Sequence, residues 1–327
     1  MRRRNSLLAL AALGASALAP WARAQPKARL PRVAILHSGA EVNLAKRAEA
    51  FTRAMRELGY ENGRNVQLDF HSANGQEDLV NEIAAQLARE APDVVVSASS
   101  VTTRALHAVT QRMPIVMAAA EDPVAEGFVR SLANSGNNVT GISSSVLEQL
   151  RRQIELLAEV APRLRRVTAL LNPTNPIYKT YRARVEFNVP AGLRLTVADA
   201  ATPREMERAF TRARDDTEGV LVMNDPHYYT LRREVVEQAL SSRRPTIYPL
   251  RGYVEAGGLI SWGPNPEANF ARAAWYVDRI LKGAKPTELP VEAPARFELV
   301  ANRDTARLLG ITLPPDILKK ASVLGGA

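Results

Sequence analysis

Five hydroxyl side chains fall within seven residues at Ser97-Ala-Ser-Ser-Val-Thr-Thr103, directly after the β-branched run Val94–Val96. Such a segment reads as a strand end entering a helix, where free backbone N–H groups and the helix dipole favour an anion. Capping a helix takes one hydroxyl, and Ser97, Ser99, Ser100 and Thr102 together offer more than a cap requires. The surplus suits a ligand carboxylate, with plain N-capping as the alternative. A second cluster, Asn224-Asp225 followed by Tyr228, is complementary: a carboxylate for a ligand ammonium and a ring for an apolar body. Asn-Asp-Pro is also an ordinary helix start, so Asp225 is either a ligand partner or an N-cap. Ser38, Glu121, Asn172, Asn175, Tyr248 and Tyr253 stand in equivalent places after other apolar runs, and the tyrosines serve either as ring contacts or as packing.

Covalent and metal chemistry find no support. His37, His71, His107 and His227 show no metal spacing, and no G-x-S-x-G elbow, phosphate loop or dinucleotide fingerprint occurs. The chain has no cysteine, which excludes a thiol nucleophile and thiolate-held metal centres. No catalytic residue, metal site or cofactor is expected, and the chemistry left is recognition of a small molecule.

The elements that position these residues form a repeat. Arg32-Val-Ala-Ile-Leu-His-Ser-Gly39 is answered by Arg166-Val-Thr-Ala-Leu-Leu-Asn-Pro173, Pro92–Ser99 by Glu218–Asp225, and Arg112–Met117 by Arg244–Tyr248. Each is a short apolar strand leading into a helical pattern, which predicts an α/β protein of two Rossmann-like lobes with parallel sheets. Ligands bind at the carboxyl ends of such strands, so two lobes facing each other make a ligand cleft. The spacing predicts strands at 32–36, 66–70 (an edge strand), 94–97 and 115–117, and helices at 43–58, 76–90, 101–111 and from about 122. In the second half it predicts strands at 167–171, 193–197, 220–223, 246–248 and 259–262, and helices at 147–160, 176–187, 203–214 and 229–241. A helix at 267–281 returns to the first lobe and a last strand lies at 297–300. Lobe 1 is then 25–143 plus 264–289, and lobe 2 is 144–263 plus 290–327, joined by a multi-segment hinge.

Residues 1–24 read as a signal peptide: Arg2-Arg3-Arg4, an apolar stretch from Leu7 to Leu18, and the small-residue site Ala22-Arg23-Ala24. Arg3-Arg4 also fits twin-arginine export. Without cysteine there is no site for an N-terminal lipid, so the expectation is a soluble, monomeric periplasmic protein cleaved near Ala24. Cleavage removes four of the 43 basic residues and leaves 39 against 34 acidic ones. The remaining arginines lie on helices with Glu three or four positions away, a solvated face rather than a nucleic-acid surface.

A set of motifs spread over the mature chain carries a family resemblance. Arg56-Glu-Leu-Gly-Tyr-Glu-Asn-Gly-Arg-Asn-Val66, Pro114-Ile-Val-Met117 with Asp122-Pro123, Asn138-Val-Thr-Gly141, Tyr253-Val-Glu-Ala-Gly-Gly-Leu259, Gly263-Pro-Asn265, Ile280-Leu-Lys-Gly-Ala-Lys-Pro286 and Phe297-Glu-Leu-Val300 resemble the ABC-transporter substrate-binding proteins of the tryptophan/tyrosine-type uptake family. The resemblance implies a type I periplasmic binding fold, a three-segment hinge, and delivery of a captured solute to an inner-membrane permease. It also implies that an amino-acid-like ligand is held by its carboxylate at Ser97–Thr103 and by its ammonium at Asn224-Asp225. A ligand sensor for a membrane receptor shares the fold, and a two-domain enzyme would need acid and base residues on opposite lobes.

Overall fold

The computed structural model describes residues 29–175, 177–185, 189–212, 218–294 and 296–326. The segment read as a signal peptide lies outside them. In the first half the chain forms β1 (Arg32–His37), α1 (Glu41–Glu57), β2 (Gln67–Ser72), α2 (Glu77–Glu90), β3 (Val94–Ser97), α3 (Ser100–Val109), β4 (Ile115–Ala120) and β5 (Val139–Ser143). Then come α4 (Val146–Val160), β6 (Arg166–Leu171), α5 (Tyr178–Val185), β7 (Arg194–Asp199), α6 (Pro203–Arg212), β8 (Glu218–Val222), α7 (Pro226–Thr230), α8 (Arg232–Ser242), β9 (Thr246–Tyr248), α9 (Arg251–Glu255) and β10 (Ile260–Pro264). The remainder is α10 (Pro266–Leu281), β11 (Val291–Glu292), β12 (Phe297–Asn302), α11 (Arg303–Leu308), α12 (Pro315–Lys320) and β13 (Ser322–Leu324).

Two sheets result, ordered β2-β1-β3-β4-β5-β11 and β7-β6-β8-β9-β10-β12-β13. Counted from each sheet's own first strand, both begin 2-1-3-4-5, so the repeat read in sequence is a repeat of topology. All pairs are parallel except β10 with β12. In this doubly wound order the crossovers leave β1 and β3, or β6 and β8, toward opposite faces, which opens a crevice at their carboxyl ends.

Strand alternation sorts the core onto the faces. Val33 and Ile35 pack with Phe51 and Met55 of α1 and Phe270 and Val277 of α10, while Ala34 and Leu36 face Val80 and Leu87 of α2 and Leu106 of α3. In the second sheet Val167 and Ala169 meet Leu150, Ile154 and Leu157 of α4, and Leu170 and Val222 meet Met206, Phe210 and Val236 on the other face.

The chain passes between the sheets three times. β5 leads to α4, which packs on β8, β9 and β10; β10 leads to α10, which packs on α1, β3, β4 and β5; and β11, paired with β5, leads to β12. Val291–Glu292 thus stays on the first sheet, two residues past the point where the spacing ends lobe 1. Two expected helices change. Residues 122–127 form only a turn, closed by Gly127 at φ 76°, and the helix expected over 229–241 is split at Leu231 into α7 and α8.

Candidate functional site

The loops after β1, β3, β4 and β5 face those after β8 and β9 around a cavity of about 650 Å³, counting solvent continuous with it. Its walls include His37, Ser38, Ser99, Glu121 and Ser144 from the first sheet and Asn224, Asp225, Pro226, Tyr229 and Leu250 from the second. A neighbouring hollow shares Ser38, Asp225 and Pro226 and adds Asn172, Thr174 and Asn175. The structure therefore brings Ser38, Ser99, Glu121, Asn172, Asn175, Asn224 and Asp225 together, on sheets far apart in sequence.

The hydroxyl cluster does something other than expected. Ser97 Oγ lies 2.8 Å from Thr102 Oγ1 and donates to Ser99 O, and Ser99 and Thr102 form a reciprocal capping box. The Ser100 backbone N–H donates to Glu121 Oε2 at 3.0 Å, and the Ser100 hydroxyl donates to Glu126 Oε1. Ser97, Ser100 and Thr102 are buried and do not line the cavity. The carboxyl group at the α3 N-terminus is the protein's own Glu121, so this helix end is not vacant for a ligand carboxylate.

Asp225 is both an N-cap and a hub. Its Oδ1 accepts from the N–H groups of His227 and Tyr228 at 2.8 and 3.0 Å, and its Oδ2 accepts from Asn175 Nδ2 at 2.7 Å and Asn172 Nδ2 at 3.2 Å. These four hydrogen bonds fix its carboxylate at the cavity wall.

Tyr228, Tyr248 and Tyr253 are core residues, correcting their expected ring-contact role. Tyr228 donates to Ala200 O, and Tyr248 and Tyr253 stack with ring centroids 5.0 Å apart. All three are at most 1% exposed and belong to the cluster beneath the second sheet: Tyr248 ends β9, while Tyr228 and Tyr253 lie in α7 and α9 and pack onto the same core. The tyrosine that does line the cavity is the neighbouring Tyr229.

Sequence reasoning missed the α1–α10 wall: Asn43, Arg47, Asn269 and Phe270. Arg47 Nη1 donates to His37 Nε2 at 2.7 Å, and its guanidinium lies 5.7 Å from the Tyr229 ring and 6.0 Å from the Phe270 ring. His37 accepts at Nε2 and donates through Nδ1 to Gly39 O at 3.2 Å; burial and the Arg47 charge hold its pKa down to about 3. It is a neutral spacer.

Arg184 of α5 pairs with Asp122 after β4 at 2.7 Å, and Arg232 Nη1 of α8 donates to Asn43 Oδ1 of α1 at 3.2 Å. These contacts join elements that flank the second sheet to elements that flank the first.

Burial pushes the Glu121 pKa up, partly offset by the Ser100 hydrogen bonds and reinforced by Asp225. Burial and then Glu121 push Glu126 up to about 7, against hydrogen bonds from Ser100 and Asp122 and the charge of Arg104. A carboxyl raised in the folded state keeps its proton where the unfolded chain has lost it, so its contribution to stability falls as pH rises from about 4.5 to about 7. His37 works in the opposite direction below its ordinary value, so the test is a difference. The Tm of Glu126→Gln minus that of wild type is expected to grow from pH 5 to pH 8, by on the order of 5 °C, in thermal melts of ligand-free protein. A constant difference would show that Glu126 is ionised throughout.

The family model for ABC transporter substrate binding proteins matches residues 33–324. The "Tyrosine-binding protein" of Clostridioides difficile (strain R20291) is 24% identical over 268 residues, covering 82% of this chain and 77% of that one. A Streptococcus pneumoniae ABC domain solved in complex with L-Trp is 26% identical with a TM-score of 0.83, covering 90% of this chain and 99% of that one. A glucose-galactose binding protein from Geobacillus stearothermophilus, 13% identical with a TM-score of 0.62 over 84% of this chain and 98% of that one, shares the fold. The architecture is that of the type I periplasmic binding proteins, and the matched proteins bind solutes rather than transform them. With its match running from β1 to β13, the chain belongs to the ABC transporter substrate-binding protein family.

Proposed function

We propose that this protein is the periplasmic solute-binding component of an ABC uptake system, and that its cargo is an amino-acid-like or aromatic acid. The observation that carries the reading is the cavity at the two crevices. Glu121 and Asp225 give it two carboxylates, Arg47 gives it a cation, and Tyr229 and Phe270 give it rings. A zwitterion with an aromatic body matches the two signs of charge and the rings together. The relatives said to bind tyrosine and to hold L-Trp support the same class.

Capture proceeds by closure about the three crossing segments, with lobes near 25–143 plus 264–292 and 144–263 plus 293–327. A ligand touching both walls favours the closed state by its differential affinity, and an inner-membrane permease reads that state. Export with cleavage near Ala24 delivers a monomer to the periplasm. Among the described residues no helix is long and apolar enough to cross a membrane.

Thermal melts of the mature protein against L-tryptophan, L-tyrosine, other amino acids, dipeptides, glucose and galactose test the reading. An aromatic amino acid at about 100 times its Kd is expected to stabilise by about 2.7 kcal/mol and raise Tm by several degrees. A response to a sugar with none to any amino acid would overturn the cargo class.

A further inference from the structure

The cavity's charges are separated along it. Glu121 and Asp225 lie where the strand ends meet, and Arg47 lies at the seam of α1 and α10. Among the described residues Arg47 forms no ion pair. Its hydrogen-bond partner is the neutral His37, and Glu267 acts on it only through space. Arg232 sits on the same Tyr229 ring at 4.9 Å and, among the described residues, likewise pairs with no carboxylate, so the seam carries two cations without an ion pair.

A second observation lies one turn into α10. Asn269 is 1% exposed and lines the cavity, yet neither Nδ2 nor Oδ1 has a hydrogen-bond partner among the described residues. Buried amides are normally satisfied, and leaving one unpaired costs about 1–3 kcal/mol. An orphaned amide and a guanidinium without an ion pair, both lining one cavity from the α1–α10 side, mark a place for a group that accepts from both.

We propose that the cleft fixes the polarity of its ligand: the carboxylate docks at the α1–α10 seam on Arg47 and Asn269, and the cationic group points to Glu121. This rests on the amino-acid reading above and reverses the orientation expected from sequence, in which the hydroxyl cluster holds the carboxylate. The physical reason is occupancy: the α3 N-terminus already carries Glu121, while the cations of the seam form no ion pair among the described residues.

Isothermal titration with L-tryptophan, L-tyrosine, their carboxamides and the corresponding deaminated acids tests it on wild type, Arg47→Met, Arg47→Lys and Asn269→Leu. Arg47→Met is expected to weaken the amino acids about 50-fold and the carboxamides less than about 3-fold, with partial recovery in Arg47→Lys. Asn269→Leu is expected to raise the Tm of the ligand-free protein while weakening the amino acids about 10-fold, a readout that survives if Arg47→Met does not fold. Equal losses for acid and carboxamide in Arg47→Met, or an unchanged affinity in Asn269→Leu, would overturn the assignment and leave the amino-acid reading standing. A wild-type protein that binds none of the six probes overturns that reading, and the assignment with it.

Discussion

Glu121→Gln is expected to weaken capture of an aromatic amino acid about 100-fold, close to 3 kcal/mol, while leaving the empty protein at least as stable as wild type at pH 8. The two halves of this result have one cause. Glu121 is 4% exposed, so its ionised form has lost its water, and Asp225 across the cleft adds repulsion. The empty protein bears that cost, and a ligand ammonium relieves it. Gln keeps the shape and can still accept from the Ser100 N–H, so the cap of α3 survives. Titration and melting curves on the same variant read the two halves separately. A variant that binds normally would show that the ammonium is held elsewhere, with Asp225 as the remaining carboxylate. The raised Glu121 pKa adds a sign: affinity for a cationic group falls as pH drops, because the proton competes for the same oxygen.

Gly263→Ala is expected to cost about 3 kcal/mol or more in stability, lowering Tm by on the order of 10 °C. A Cβ at this position runs into the carbonyl of Pro249 and comes within 3.4 Å of Gln149 Oε1. The first obstacle is backbone between β9 and α9, which cannot rotate aside as a side chain can. The Gly263 strand pairs with β12 and then leaves the second sheet as a crossing segment, so a shift there propagates to α10 and to Asn269. Urea melts and ligand titration would show a lower midpoint together with weaker binding. A loss below about 0.5 kcal/mol would mean that the β9–α9 turn yields easily.

The frame was legible because it rests on local signals. β-branched runs gave most strands to within two residues, and the repeat gave two sheets whose shared order places the cleft. Site residues at strand ends were legible for the same reason: Ser38, Ser99, Glu121, Asn224 and Asp225 line the cavity because the topology puts strand ends there. Arg47 was not. It lies between Lys46 and Glu49 on a charged helix, and only the packing of α10, from far along the chain, turns it inward. Asn269 was hidden likewise, in the first turn of a helix read only for its apolar stripe. The tyrosines misled in the other direction, since only tertiary packing decides whether the rings at the end of β9 and in the short helices α7 and α9 turn to the cavity or to the core. The turn after β4 resembled a helix start until Gly127 at φ 76° closed it.

The Arg184–Asp122 pair has side chains 44% and 24% exposed, and it joins α5 beside the second sheet to the turn after β4 of the first. An ion pair that wet is screened by dissolved salt, with a reach of about 8 Å at physiological ionic strength. It contributes little to whether a solute is held, yet in the closure proposed above it must break each time the two sheets part and the mouth opens. Dwell time of the cargo is therefore partly set by the medium: in dilute surroundings the mouth stays shut longer, and in saline ones the cargo exchanges faster at nearly the same occupancy.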